Sequence, residues 1–455
     1  MKILACWSTY LIFISGILFL SIDAQASQNA CAAASGIVDK IDLPKIPNRA
    51  FDISDFGAMK GGEIDARPAI LAAIAKAVAE GGGKVILPEG LWLSKGPVVL
   101  QSNIELHLSA GARLLFSAEP ADYLPVVLTR WEGTEVFSYS PLIYAFDVHD
   151  VAITGKGTID GNKDSKFFAW HPKEKSDQLR LRQMGAAAVP VALRQFGQGH
   201  FLRPPLIQFF SATRVLLEDY TAKNSPFWVN HLNYTSHVTM RGVNVDSHFA
   251  NNDGVDVESS SFVVVENSHF RTGDDSAVVK SGRDLDGRQI ARPSQYVVFR
   301  NNDMGGEDGI ALGSEMSGGI SDVYFVDNIL RTGSSAIRFK SNLDRGGIVE
   351  KIRVCNMRVE SFDNLFWFQL DYPGSLGGNF PAIYRDIIFE NINVERAATA
   401  LYVSAPEGSP LRDVTWKNVD IKEAETTFYL KNAENLRFQN FRVNGERIDG
   451  QLSWQ

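Results

Sequence analysis

Val263-Val-Val-Glu-Asn-Ser-His-Phe270, VVVENSHF, is one of nine eight-residue stretches that share a pattern and together decide the fold of this chain. The others are VLLEDYTA from Val215, VTMRGVNV from Val238, VVFRNNDM from Val297, VYFVDNIL from Val323, IRVCNMRV from Ile352, IIFENINV from Ile387, VTWKNVDI from Val414 and LRFQNFRV from Leu436. Their starts lie 22 to 35 residues apart, with apolar residues at positions 1, 3 and 8 and mostly at 6. That is strand alternation broken and restarted at a corner. The corner is position 5, occupied by Asn267, Asn301, Asn356, Asn391, Asn418 and Asn440, and by Asp219, Gly242 and Asp327 in the remaining repeats. These residue types tolerate a left-handed backbone. The pattern therefore predicts an all-β fold, a single-stranded right-handed parallel β-helix with one such corner per coil. A β-sandwich offers similar turns but no reason to repeat one corner chemistry nine times.

A second strand column follows the repeats: GVDVES from Gly254, SAVVKS from Ser276, GIALGS from Gly309 and AIRFKS from Ala336. If Val255, Ala277, Ile310 and Ile337 face inward together, then Asp256, Lys280, Arg338 and Lys340 face outward. Carried back across the turn, the register stacks Asp253, Asp275 and Asp308 in one column and Asn252, Asp274 and Glu307 beside it. With coils about 4.8 Å apart, three of them bring five carboxylates to one patch. Their repulsion predicts a protonated acid beside ionised bases, the state that hydrolysis of a glycosidic bond requires. Separations across coil steps are expected to suit the roughly 6.5–9.5 Å of an inverting glycosidase. Arg338 and Lys340 are expected to hold the carboxylate of an acidic sugar. Turn carboxylates also cap backbone amides, and acids of this kind bind calcium; neither a metal nor another cofactor is expected here.

The remainder of the chain bounds this reading. At 455 residues with 45% hydrophobic and 22% charged content, it buries a large core. Lys2, the apolar run Tyr10 to Ile22 and Ala24-Gln25-Ala26 predict a signal peptide over residues 1–26, too short in its apolar part to span a bilayer. Export to the periplasm or the medium follows, with no membrane span after cleavage. Lys2 and Asp23 leave together, so the net charge stays at −8, which disfavours nucleic acid as a partner. Cys31 and Cys355 remain after cleavage, and they could pair without forming a disulfide framework. Residues 27–50 read as a linker and 51–455 as the β-helix catalytic domain. Asp65-Ala-Arg-Pro68 and the Ala-rich run to Glu80 predict a helix that lids the open end of the solenoid. Residues 162–205, rich in Lys, Arg and aromatics, interrupt the coils as a long insertion that can wall a groove.

The carboxylate cluster resembles that of glycoside hydrolase family 28, the polygalacturonases, whose signature runs Asn-x-Asp, Asp-Asp, Gly-His-Gly, Arg-x-Lys. Asn251-Asn252-Asp253 matches the first motif, Asp274-Asp275 the second and Arg338-Phe339-Lys340 the fourth. Similarity extends to Asp55-Phe56-Gly57-Ala58, Asn224-Ser225-Pro226-Phe227-Trp228 and Gly313-Ser314-Glu315. The resemblance implies a pectin-lyase-like solenoid that cleaves α-linked galacturonic acid in plant cell-wall pectin with inversion. It implies Asp274 as general acid, Asp253 and Asp275 as the pair that activates water, and Arg338 and Lys340 as ligands of the sugar carboxylate. Asn251, Lys280, Glu307, Asp308 and His231 join them as expected substrate contacts, and the 162–205 insertion resembles the loops of exo-acting members. The third motif departs: Gly306-Glu307-Asp308-Gly309 stands where the family has Gly-His-Gly, which adds negative charge and suits a rhamnogalacturonan or other decorated pectin. A pectate lyase and a non-catalytic polysaccharide-binding β-helix are the competing readings.

Overall fold

The computed structural model describes residues 29–454, so the expected signal peptide lies outside the described residues. Val215, Val238, Val263, Val297, Val323, Ile352, Ile387 and Val414 are successive partners in one parallel column, as the repeats require. Val151 adds an earlier coil to the same column. The second column pairs Val255 with Ala277, Ile310 and Ile337 in turn. The chain is thus a parallel β-helix, each strand stacking on its counterpart one coil away.

All nine corner residues adopt positive φ, from 51° at Asn267 to 68° at Asp219. Their side chains form a ladder: Asn391 Nδ2 donates to Asn356 Oδ1 at 3.1 Å, and Asn418 Nδ2 to Asn391 Oδ1 at 3.1 Å. A second left-handed corner sits one residue before the repeats, at Arg214, His237, Phe262, Tyr296 and Lys351 among others, with φ between 54° and 58°. Asp322, Asp386, Asp413 and Asn435 hold the same corner in other repeats and tolerate it, whereas strand pairing on both sides imposes it on Phe262, Tyr296 and Lys351. Inside the coils the side chains also stack in register, Phe339 on Phe368 at 4.5 Å and Phe389 on Trp416 at 5.5 Å.

Both ends are covered. Helix α1 is Ala34–Val38 and α2 is Arg67–Ala79; α2 buries Ile70, Ala73, Ile74 and Ala77 over the first coil. Asp65 Oδ1 accepts from the Arg67 and Lys95 amides at its start, and Gly81 and Gly82 at positive φ end it. At the other end Glu446–Trp454 runs antiparallel to Ala433–Val443 and terminates the stack. Residues 29–50, expected as a linker, are instead fastened to the barrel. Cys31 is bonded to Cys355, the Ala30 amide donates to Glu390, and Ile37 packs among Val264, Val298 and Tyr324. The outward apolar residues of those strands need cover, and this segment supplies it.

The insertion is ordered around α3, Glu174–Ala186, and a short strand at Gln195–Phe196. That strand pairs with Thr134–Ser138, which forms a hairpin with Val127–Trp131, so a small three-stranded sheet rises beside the main one. The fourth helix, α4, spans Asp284–Ile290 and touches α3. No helix among the described residues is long and apolar enough to cross a membrane.

The corner ladder sets an expectation for Asn391. Asn391→Gly keeps the backbone conformation but removes two side-chain hydrogen bonds, and is expected to cost about 1–2 kcal/mol. Asn391→Ala adds the left-handed penalty of about 1–2 kcal/mol. The urea unfolding midpoints should therefore fall in the order wild type, Gly, Ala; an Ala variant as stable as the Gly variant would contradict this account of the corner.

Candidate active site

Asp253, Asp274 and Asp275 leave their turns toward a shared cavity because the backbone around them is fixed from below. Asn252 is fully buried and works as a peg: its Oδ1 accepts from Ser247 Oγ and the Phe249 amide, and its Nδ2 donates to the carbonyls of Ser225 and Phe227. Gly273 is needed because a Cβ there would lie 2.2 Å from the Phe249 carbonyl of the preceding coil. Asp274 is half-buried; its Oδ1 accepts from the Asp275 amide at 3.0 Å and its Oδ2 from Asn251 Nδ2 at 3.4 Å. Asp253 and Asp275 lie deeper, 2% and 1% exposed.

One carboxylate oxygen from each of these three aspartates lies within 4.8 Å of the others. A strand step is about 4.8 Å, so Asp253 and Asp275, at matched positions of adjacent coils, are brought together, and Asp274 joins them as the chain neighbour of Asp275.

Two lysines balance the cluster. Lys340 Nζ donates to both oxygens of Asp275 at 2.8 Å and to Asp308 at 3.3 Å. Lys280 Nζ stands 3.8 Å from Asp253, 3.9 Å from Asp256 and 3.2 Å from Glu315, over the face of Trp228. Burial pushes the Asp275 carboxyl up to about 8, with Asp308 and Asp274 adding to the rise and Lys340 opposing it. Burial likewise raises Asp253 well above the usual carboxylate range, helped by the charges of Asp256 and Asp274. At Asp308 burial is outweighed by Lys340 and Arg338, which hold its carboxyl down at about 2. The expected mixture of protonated and ionised acids thus arises mainly from burial.

Asp256, not singled out from the sequence as a site residue, is fully buried behind Asp253, and neither of its oxygens has a hydrogen-bond partner among the described residues. Burial raises it as well.

The other expected contacts divide. Asn251 lines the cavity and braces Asp274, and Lys280 and Lys340 line it too. Arg338 lies beside the cavity, donating to Asp308 and Gln369 and stacked 3.9 Å over Trp367. Asp308 is buried, its oxygens taken by Arg338, Lys340 and Ser335, so it anchors cations and does not contact sugar. Glu307 is exposed next to the cluster, with its carboxyl raised by partial burial and by Asp274 and Asp308. His231 is a correction. It is 0% exposed, Gln208 Nε2 donates to its Nδ1 at 2.8 Å, and its Nε2 donates to Glu258 at 2.9 Å. Burial lowers its pKa, and it belongs to a polar layer under the site where no sugar reaches it.

Sequence reasoning missed the opposite wall. Glu132, at the tip of the hairpin, accepts from Gln178 and Arg182 of α3 and from Arg283 just before α4. Tyr372 closes another side from the loop after residue 369. Arg203, buried at the end of the insertion, binds both oxygens of Glu174 at 2.7 Å and donates to Asn251 Oδ1 at 2.6 Å. No repeat or motif marks these residues, because they come from outside the coils. The resulting cavity is small, about 80 Å³, and polar.

The Asp256 carboxylate predicts a pH effect. Asp256→Asn removes the largest neighbouring negative charge from Asp253, so Asp253 releases its proton at lower pH. If ionised Asp253 is the required base, the acidic limb of the kcat/KM profile moves downward, which a pH series on a soluble oligosaccharide would measure; an unmoved or rising limb would exclude that coupling.

Comparison with known proteins accords with this geometry. The family model described as "Glycosyl hydrolases family 28" matches residues 128–440, from the hairpin to the last coils. A Vitis vinifera protein named "Probable polygalacturonase" is 29% identical over 86% of this chain and 78% of its own length. An "Exo-poly-alpha-D-galacturonosidase" of Dickeya chrysanthemi is 28% identical over 78% of this chain and 62% of its own length. The crystal structure of an exopolygalacturonase from Thermotoga maritima superposes with a TM-score of 0.88 and 34% identity, covering 94% of this chain and all of that one. The model match spans every coil that supplies a carboxylate to the cavity, and the chain belongs to glycosyl hydrolase family 28.

Proposed function

We propose that this glycoside hydrolase releases α-linked galacturonic acid from the ends of pectic chains, with inversion at the anomeric carbon. The observation that carries the exo mode is the closed wall: the Glu132 hairpin tip, α3 of the insertion and Arg283 meet over one side of the carboxylates. A groove blocked there takes a chain end more readily than a chain middle. The likeness to the Thermotoga maritima exopolygalacturonase and the Dickeya chrysanthemi exo-poly-alpha-D-galacturonosidase supports the same mode and a galacturonan substrate.

In this reading Asp274, the most accessible of the three aspartates, protonates the leaving oxygen. Asp275 has both oxygens on Lys340 and is poorly placed to become a covalent nucleophile, whereas Asp253 Oδ1 has no hydrogen-bond partner among the described residues and can orient a water. Lys340 and Lys280 supply positive charge where a calcium-dependent lyase would need a cation, which favours hydrolysis. The Cys31–Cys355 bond supports export to an oxidising compartment.

Incubation with homogalacturonan is expected to yield monogalacturonate without unsaturated ends, and Asp274→Asn is expected to lower kcat by about 10²–10⁴. Shortening of the polymer before monomer appears would refute the exo mode. Activity on rhamnogalacturonan alone would instead favour the second reading, for which exposed Glu307 beside Asp274 is the motive. The first-formed anomer, followed by proton NMR, should be β. An α product would mean that one of the closely spaced aspartates attacks carbon directly.

A further inference from the structure

Four cations line the cavity: Arg182, Lys280, Arg283 and Lys340. All four have a carboxylate partner among the described residues, and they differ in the donors that remain. Lys340 is held by Asp275 and Asp308, Lys280 by Glu315, and Arg283 by Glu132 and Glu315. Arg182 differs. Its Nη2 donates to Glu132 at 2.8 Å, but its Nε is buried with no partner among the described residues. Its Nη1 points toward the turn that follows Tyr372, where a Cβ at Gly374 would stand 3.1 Å from it.

The guanidinium therefore crosses from α3 to the Tyr372 loop and keeps donor capacity at the cavity wall. Its side chain is 19% exposed and pinned from behind by Glu132, which Gln178 and Arg283 hold in place. A planar fork, oriented by one carboxylate and open to a second, is what recognition of a uronate carboxyl group calls for.

We propose that Arg182 is a specificity-determining residue that binds the carboxylate of the terminal, non-reducing uronate of the substrate. This rests on the hydrolase reading of the same cavity and deepens it by naming the group that the insertion recognises. The consequence is selectivity for a free acid at that unit, since a methyl ester removes the charge that the fork pairs with.

The test compares trigalacturonate with the same trimer methyl-esterified only on its non-reducing unit, for the mature wild type, Arg182→Gln and Arg182→Lys. The wild type is expected to favour the free acid in kcat/KM by roughly ten- to a hundredfold, the worth of a charge-assisted hydrogen bond. Arg182→Gln should bring that ratio close to one by losing rate on the free acid, and Arg182→Lys should keep most of it. A purely structural role would slow both substrates together and leave the ratio intact, which would overturn the proposal. So would a wild type with no preference. Failure to cleave any galacturonan would remove the hydrolase reading itself and this inference with it, an outcome distinct from an active enzyme whose ratio does not change.

Discussion

The distance between hydrogen-bonded strands, about 4.8 Å, governs this molecule. Every coil repeats at that step, so whatever one coil places at a given position, the next places directly above it. In the interior this yields aromatic stacks such as Phe389 on Trp416. At the corner it brings each asparagine amide to the next carbonyl oxygen. On the outer face it forces Asp253 and the Asp274-Asp275 pair together, although three carboxylates so close repel one another. Lys280 and Lys340 make that arrangement tolerable, and both are buried where their charge is least screened. The spacing that stabilises the core is thus the spacing that concentrates reactive acids.

Features that repeat once per coil were legible in the sequence. The strand register, the asparagine corner and the grouping of Asp253, Asp274, Asp275, Lys280 and Lys340 all follow from aligning short stretches, because position in a repeat translates directly into position in space. The second left-handed corner was legible only in part, at Asp322, Asp386, Asp413 and Asn435. Its occupants include Phe262, Tyr296 and Lys351, which carry no local preference for that conformation and adopt it because the strands on either side are already paired. Local propensity reports a corner only where the residue was chosen for it.

His231 illustrates a different limit. An outward position in the strand register looks like a surface position, but here a second layer, the hairpin of Val127–Trp131 and Thr134–Ser138, covers it. Arg130 from that hairpin reaches Asn233 and Ser259 and lies 3.5 Å from Glu258, sealing a buried polar network. Facing away from the core is not the same as facing solvent. The segment containing Cys31 misled in the same way: nothing in its composition reveals the apolar stripe of Val264, Val298 and Tyr324 that it covers.

Arg203 bears on how such a solenoid can change over time. It grips Glu174 at the start of α3 and, with the same guanidinium, holds the side chain of Asn251, in the turn that presents Asp253. The insertion is therefore a buttress as well as a wall. Trimming it away to open the groove would free Asn251 and slacken the turn that presents Asp253, so deletion alone cannot widen the groove and leave that turn as it is. The shape of the groove and the alignment of its acids are inherited together through a single buried side chain.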